Sequence, residues 1–363
     1  MRLRIASCPF PFRGSFKHAS AVRERAENVI AIAEDDAGLV GLGEGCPRFY
    51  VTGETVTSAM AAIMRWRAAG IEDVPDLAGV QAWVGRHRND LDANPSAFSA
   101  IELALIDLFA RQAGQSLESL MGASETSSDL CTSAVYSSGR EAKFLAEVAL
   151  FNLNGMRDAK LKISGDKRQD NRRARLLARF GRVRLDANNL WASPDAACNG
   201  LEGTCNQAWA VEEPLRARDW QGLATVGSTT GLAIILDESV TRKEDLAAVK
   251  PGPDYILNAR VSKHGGLLRT LAIIREARSR SMKIIVGSQV GETSILARAG
   301  ILAARAAGPD LIGFEGAYGT RLLVRDATTP SIGFGYRGRV VLPSQARAGS
   351  GLTPTAEVNS ACR

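Results

Sequence analysis

The first 115 residues begin with hydrophobic runs that are typical of β-strands. These runs are RLRIASCPF, ENVIAIAED and GLVGLGEG, and the turn sequence DDAG lies between the last two. Apolar residues then recur at three- and four-residue spacings, as they do in amphipathic helices, in TVTSAMAAIMRWRAAG, LAGVQAWVGRHRN and SAFSAIELALIDLFARQAG. Residues 1–115 are therefore predicted to form an α+β domain.

From about residue 129 the pattern changes to short apolar runs, each followed by a helical stretch. The eight runs are LCTSAVY, AKLKIS, VRLDAN, AWAVEEP, LAIILDES, DYILNARVS, KIIVGSQ and LIGFEG. Strands that alternate with helices indicate right-handed parallel β-α units, and eight such units fit a closed barrel. We predict an α/β fold in which residues 116–330 form a (β/α) TIM-type barrel, capped by residues 1–115. Residues 331–363 are predicted to pack back on the capping domain and complete it.

Acidic residues follow three consecutive strands of the predicted barrel, one β-α repeat apart. They are Asp186, Glu212 and Asp237. The carboxyl ends of barrel strands meet at one face, so these carboxylates should converge and repel one another unless a cation lies between them. Oxygen ligands favour Mg²⁺, with Mn²⁺ as an alternative. The competing interpretation is that the acids cap helices or pair with arginines.

Two lysines, Lys160 and Lys162, occupy alternate positions of the second barrel strand and therefore share one face. A lysine beside another lysine and a dication is destabilised in its charged form, which suits it to act as a base. We expect Lys162 to remove a proton α to a carboxylate. The alternative is that both lysines face solvent or form buried ion pairs.

Composition limits the other classes of function. The chain has a net charge of +6, but its 45 Lys and Arg residues are spread along the sequence and aromatic residues are only 6%. Nucleic-acid binding by stacking would need basic and aromatic residues interleaved. No run is long enough to span a membrane, and the six cysteines form no C-x-x-C pair. We expect a cytoplasmic enzyme with reduced cysteines that binds neither nucleic acid nor membranes.

The motifs AKLKIS, RLDANNLW, VEEP and DES resemble successive strand-end motifs of the enolase superfamily. The resemblance is to the subgroup of muconate lactonizing enzymes, o-succinylbenzoate synthases and dipeptide epimerases, and it covers nearly the whole chain. It implies that Asp186, Glu212 and Asp237 bind the metal ion. It also implies that Lys162 is the acid/base on the second strand with Lys160 as its partner, and that the chain forms a homo-oligomer.

One departure from this subgroup affects the predicted mechanism. Members usually have a lysine at the end of the sixth strand, within K-x-x-K-x-G-G, whereas this chain has RVSKHGG, with Arg260 at the first lysine and Lys263 at the second. Arginine stays charged and is a poor base. A one-base reaction is therefore predicted first, in which Lys162 moves the proton and Arg260 stabilises charge, as in a muconate-cycloisomerase-like isomerase or lyase. Lys263 is the alternative base on this strand.

Two other functions remain open. One is a dipeptide or N-acylamino-acid epimerase or racemase, and the other is a metal-dependent barrel that binds an acid without turnover. The sequence at the end of the eighth strand, FEGAYGTRLL, lacks the D-x-D pattern that holds a substrate ammonium in dipeptide epimerases, and its Glu315 is similar to the muconate lactonizing arrangement. Specificity is set by loops at the barrel mouth. Candidate residues there for binding a small carboxylate substrate are Arg13, His18, Phe49, Tyr50, Glu292 and Glu315.

Overall fold

The computed structural model describes residues 1–18, 21–123, 129–250, 252, 254–342 and 348–362, and no side chain is described for residues 15–18 or 21–23. The capping domain has an antiparallel sheet in which β2 lies between β1 and β3. Its elements are β1 (Arg2–His18), β2 (Ala21–Glu34), β3 (Val40–Gly45), α1 (Phe49–Thr52), α2 (Val56–Ala68), α3 (Leu77–Arg86), α4 (Arg88–Ala93), α5 (Pro95–Gln112) and α6 (Leu117–Leu120). The predicted α+β cap is confirmed.

Helix α5 lies directly on strand β3 because alternate residues of that strand are glycines. A Cβ atom added to Gly41, Gly43 or Gly45 would lie within 2.2 Å of a backbone oxygen of α5. Proline suits the first turn of a helix, where no hydrogen-bonded N–H is needed, and Pro95 begins α5. On another side of α5, the rings of Phe98 and Trp66 meet edge to face at 5.7 Å.

The second domain is an eight-stranded parallel sheet in which each strand pairs with the next along the chain. Its strands are β4 (Ala134–Tyr136), β5 (Asp158–Lys162), β6 (Arg182–Asp186), β7 (Ala210–Glu212), β8 (Ala233–Leu236), β9 (Tyr255–Ala259), β10 (Lys283–Val286) and β11 (Leu311–Phe314). A hydrogen bond of 2.7 Å from the Ser133 N–H to the Phe314 carbonyl joins the two edges. All eight predicted strands are present, and the predicted barrel is confirmed.

Helices follow the barrel strands. They are α7 (Glu141–Leu153), α8 (Lys167–Ala178), α9 (Pro194–Leu201), α10 (Trp220–Thr230), α11 (Val261–His264), α12 (Leu267–Ser279), α13 (Ser294–Ala307) and α14 (Gly319–Leu322). None of the described helices is long and apolar enough to cross a membrane.

The end of the chain returns to the capping domain. It contains the short strands β12 (Thr328–Thr329), β13 (Gly333–Phe334), β14 (Val340–Val341) and β15 (Thr353–Pro354), and the helix α15 (Ala356–Ala361). Arg4 of β1 donates hydrogen bonds to the Cys362 carbonyl at 2.8 Å and to Asn359 Oδ1 at 3.1 Å. Arg111 of α5 donates to the Leu352 carbonyl at 2.6 Å. The tail therefore completes the cap, as predicted.

Buried polar side chains of the cap hold the segment 287–293 that follows β10. Asn28 donates to the Gly291 carbonyl at 2.8 Å, and Arg48 donates to the Val290 carbonyl at 2.9 Å. Glu44 accepts from the Thr293 N–H at 3.0 Å and from the Asn28 amide at 2.7 Å. Because the cap bonds directly to this barrel segment, it fixes the backbone at one side of the barrel mouth.

Candidate active site

A cavity of about 480 Å³ lies where the carboxyl ends of the barrel strands meet the cap. This volume is in the range of small-molecule sites. The residues named from the sequence that line it are Arg13, Tyr50, Lys160, Lys162, Asp186, Arg260, Glu292 and Glu315. Phe49 is instead 70% exposed, and the side chain of His18 lies outside the described residues.

Lys160 is buried among carboxylates from three other strands. Its Nζ lies 2.7 Å from Glu212 Oε2, 3.2 Å from Asp186 Oδ2 and 3.2 Å from Glu315 Oε2. Burial alone would lower the pKa of Lys160, but the negative charges of Asp186 and Glu212 outweigh burial and raise it. Lys160 is therefore a permanent cation within this cluster, as the buried ion-pair alternative anticipated.

Lys162 differs from Lys160 in its access to the cavity. Its side chain is 24% exposed, and its Nζ lies 3.8 Å from Asp186 Oδ2. It lines the cavity two residues after Lys160, on the same face of β5. Lys162 is thus an amine that a ligand in the cavity could contact.

Arg260 lies on the far side of the carboxylate cluster. Its Nη2 contacts Asp237 Oδ2 directly and lies 3.4 Å from Glu212 Oε1. Burial alone would lower the pKa of Arg260, but the charge of Asp237 raises it further above its usual value. Burial alone would raise the pKa of Asp237, but the positive charges of Arg260 and Lys263 outweigh burial and hold the pKa well below its usual range. This pair is therefore ionised throughout the physiological range.

Lys263 is not at the cavity surface. Its Nζ donates to the Asp237 carbonyl at 2.7 Å, to Asp237 Oδ1 at 2.8 Å and to the Asn258 carbonyl at 2.8 Å. The lysine is fully buried, and these contacts use all three of its donors. This position does not suit the alternative base role that the sequence suggested, because α11 begins directly after Arg260 and turns the lysine behind Asp237.

The adjacent acids at the ends of β7 and β8 behave differently from one another. Glu213 turns away from the cavity at φ 38°, and its carboxylate accepts from the Asp237 and Ser239 N–H groups, each at 2.7 Å. Glu238, by contrast, lines the cavity although Asp237 also points into the cluster. Along a regular strand only one of two adjacent side chains can point inward, and Asp237 and Glu238 depart from this rule. Strand β8 ends at Leu236, so side-chain alternation no longer applies there.

Burial opposes the ionisation of three acids of the site. Burial raises the pKa of Glu212, Glu238 and Glu292 to about 8 in each case. Glu292 follows β10, and its Oε1 accepts a hydrogen bond of 2.6 Å from the Gln289 N–H. Glu292, which belongs to neither the metal site nor an ion pair described above, can therefore exchange a proton near neutral pH.

The carboxylate of Glu315 is already bound by two buried cations. Its Oε1 lies 2.8 Å from Arg184 Nη2, and its Oε2 lies 3.2 Å from Lys160 Nζ. Arg184 also binds Asp158 at 2.7 Å inside the barrel. Glu315 thus serves as an internal counter-ion at the end of the eighth strand.

The donors of Asp186, Glu212 and Asp237 fit a hard divalent cation, since all are carboxylate oxygens. Among the described residues, no three His, Cys, Asp or Glu side chains already lie in a metal-binding arrangement. Lys160 and Arg260 provide the cations that separate the three acids instead. The acids could hold Mg²⁺ once these two side chains release some of the oxygens.

Some residues of the site were not anticipated from the sequence. Gln289 accepts from Arg260 at 3.5 Å, and its buried Nε2 has no hydrogen-bond partner among the described residues. Asn258 donates to Glu212 Oε1 at 2.9 Å. Gln289 and Asn258 are in the predicted strand-end runs KIIVGSQ and DYILNARVS, so their positions were a usable signal. Because these two amides carry no charge, the pattern of charged residues does not reveal them.

The fold and site together define a capped barrel with a cationic and acidic cluster at the strand ends. Residues 2–122 match the family model "Mandelate racemase / muconate lactonizing enzyme, N-terminal domain", and residues 143–358 match "Enolase C-terminal domain-like". The chain belongs to the enolase superfamily and is of the mandelate racemase and muconate lactonizing enzyme type. The resemblance predicted from the strand-end motifs is confirmed.

The chain is similar to characterised isomerases over most of its length. It is 26% identical over 310 residues to the hydrophobic dipeptide epimerase of Enterococcus faecalis, covering 81% of this chain and 83% of that one. It is 24% identical to the N-succinyl-L-Arg/Lys racemase of Bacillus cereus, covering 82% of each. A dipeptide epimerase from Methylococcus capsulatus, solved with Mg and L-Arg-D-Lys, superposes with a TM-score of 0.84 at 26% identity, covering 97% and 99%. The chain is an enzyme of the isomerase type within this superfamily.

Proposed function

We propose that the enzyme is a Mg²⁺-dependent epimerase or racemase that acts on N-acylated amino acids. The observation on which this rests is the pairing of an accessible amine, Lys162, with the carboxylate cluster at one wall of the cavity. The similarity to epimerases and racemases supports the second of the functions predicted from the sequence over cycloisomerization. Homologous structures that contain Mg support the metal ion.

Each residue has a role in removing the α-proton. Asp186, Glu212 and Asp237 would hold Mg²⁺, which supplies positive charge to stabilise the substrate carboxylate as its α-proton leaves. Lys162 accepts that proton as a neutral amine. Lys160 keeps a fixed positive charge within the carboxylate cluster, two residues before Lys162 on the same strand. Arg260 lies across the cluster and adds charge stabilisation from the opposite side.

The charges at the end of the eighth barrel strand favour a substrate whose nitrogen is acylated over one with a free ammonium. Glu315 is neutralised by Arg184 and Lys160, and the residue two positions later is Ala317. A substrate ammonium would therefore meet no uncommitted carboxylate at this strand end. Arg13 and Arg321 also line the cavity, which suits an acyl group that has its own carboxylate.

The direct test is solvent deuterium incorporation at the α-carbon, measured by mass spectrometry in D₂O. N-acetyl and N-succinyl amino acids and dipeptides would be compared as both enantiomers, with Mg²⁺ and with EDTA. We expect exchange that requires Mg²⁺ and that falls roughly 10²–10⁴-fold in Lys162→Ala for the enantiomer whose α-proton faces Lys162. Lys143→Ala is the matched control, since this lysine is largely exposed at the cavity rim. Full exchange of both enantiomers in Lys162→Ala, or none in the native enzyme with any compound, would contradict the proposal.

A further inference from the structure

Inversion at the α-carbon requires one proton-transferring group on each face of the substrate. Lys162 provides one such group from the second barrel strand. In a closed eight-stranded barrel the opposite side is formed by the sixth and seventh strands, β9 and β10. Arg260 follows β9, but its guanidinium is ion-paired with Asp237 and cannot release a proton. The second group must therefore come from another residue on that side.

The remaining acids of the cavity differ in how strongly they are already bound. Glu315 is paired with Arg184 and Lys160. Glu147 accepts from the Ser137 N–H at 2.9 Å and from its hydroxyl, on the side of the first strand next to Lys162. Glu238 adjoins Asp237 in the proposed metal site. Glu292 is the cavity acid that lies on the required side, in the segment 287–293 that follows β10.

Glu292 is fixed in position and linked to Arg260. Its Oε1 accepts from the Gln289 N–H at 2.6 Å, and the side chain of the same Gln289 accepts from Arg260 at 3.5 Å. On either side of Gly291, the cap holds the segment through the Val290 carbonyl and the Thr293 N–H. Burial raises the pKa of Glu292 to about 8, so both of its protonation states are available near neutral pH.

We propose that Glu292 is the second acid/base of the reaction and acts on the face of the α-carbon opposite Lys162, an inference that rests on the proposed function. In one direction neutral Lys162 takes the α-proton and protonated Glu292 donates its proton to the other face. In the reverse direction the Glu292 carboxylate takes the proton and the Lys162 ammonium returns one. Solvent then restores both groups, so no net proton is gained or lost in a turnover.

The test measures exchange from each face separately. Glu292→Gln keeps an oxygen that can accept from the Gln289 N–H but cannot take a proton. In D₂O we expect this variant to lose interconversion by roughly 10²–10⁴-fold. It should retain exchange with the enantiomer whose α-proton faces Lys162 and lose exchange with the other. Lys162→Ala should give the opposite pattern.

Two further variants separate a chemical role from a structural one. Glu147→Gln removes a negative charge from the same cavity, and we expect the ratio of exchange between the two enantiomers to stay unchanged. Arg260→Lys, combined with Glu292→Gln, introduces an amine on the side that has lost its acid/base. Interconversion in this double variant should rise at least tenfold above that of Glu292→Gln. If Glu292→Gln folds poorly, Glu292→Asp should still interconvert both enantiomers at a reduced rate.

The outcomes distinguish this inference from the proposed function. Interconversion at the native rate in Glu292→Gln, or an equal loss of exchange with both enantiomers, would overturn the role of Glu292 and leave Lys162 chemistry intact. Native enzyme that exchanges one enantiomer without inverting it would overturn the second acid/base altogether. A native enzyme that exchanges no substrate would contradict the proposed function and, with it, this inference.

Discussion

The Nη2 atom of Arg260 binds the carboxylates of both Glu212 and Asp237, two of the three acids at the strand ends. Arg260 and Mg²⁺ would therefore compete for the same oxygens. In Arg260→Met we expect the free energy of unfolding of the metal-free protein to fall by about 3–5 kcal/mol, because the buried ion pair between Arg260 and Asp237 is broken. Addition of Mg²⁺ should then stabilise the variant more than it stabilises the native protein.

Thermal unfolding with MgCl₂ and with EDTA would measure both effects. Arg218→Met is the control, since Arg218 is about half exposed and pairs with Asp245 at 3.2 Å outside the cluster. Its expected cost is about 0–1 kcal/mol with no change in the Mg²⁺ effect. An Arg260→Met protein that gains no more from Mg²⁺ than the native protein would show that these acids do not share a metal ion.

We expect Ala317 to disfavour substrates with a free ammonium. Its φ is +67°, a conformation that Asp tolerates better than most residues, and it lines the cavity. Ala317→Asp would add a carboxylate to the cavity wall, so we expect kcat/KM for dipeptides to rise at least tenfold relative to amino acids acylated by a group without an ammonium. Ala317→Asn has nearly the same shape and no charge. It should leave the ratio unchanged, and an equal rise in the Asn variant would argue against an electrostatic cause.

Glu102 should make the protein less stable as the pH rises. It belongs to α5, its buried carboxylate accepts from the Leu267 N–H at the start of α12, and burial raises its pKa to about 8. A raised acid pKa favours folding at low pH, and this contribution disappears as the pH rises from the unfolded value of about 4.5 through 8. Urea unfolding from pH 5 to 9 should show a steeper loss in the native protein than in Glu102→Gln. If the free energy of unfolding depended on pH in the same way in both proteins, Glu102 would not be the group responsible.

Gly291 lets the cap approach the barrel. A Cβ atom there would lie 2.3 Å from the Ala26 Cβ, and its φ is +84°. We expect Gly291→Ala to lower the free energy of unfolding by about 1–3 kcal/mol and to reduce kcat, because the Glu292 segment must move. Gly85→Ala lies within α3 with no atom within 4 Å of the added Cβ, so it should be neutral or stabilising. Equal stability of the two variants in denaturant would contradict close packing at Gly291.

The barrel could be predicted from the sequence because each strand is a short apolar run followed by helical periodicity, from β4 to β11. The acids beside Lys160 could not be found in its local sequence, since they come from the third, fourth and eighth barrel strands. The alternation of side chains along a strand explains why Glu213 points away from the cluster. It does not apply to Glu238, which follows the end of its strand and lines the cavity. Local periodicity thus determines the elements, whereas contacts between distant strands determine the charges of the site.

The bonds from Asn28, Glu44 and Arg48 to segment 287–293 have a consequence for chimeric enzymes. The cap of a relative joined to this barrel would supply different partners for the backbone of Val290, Gly291 and Thr293. Transplanting a cap to alter specificity would therefore also displace Gln289 and Glu292 unless those three side chains were retained. In a chimera, the cap of this protein and the segment after the seventh barrel strand must therefore be transferred together.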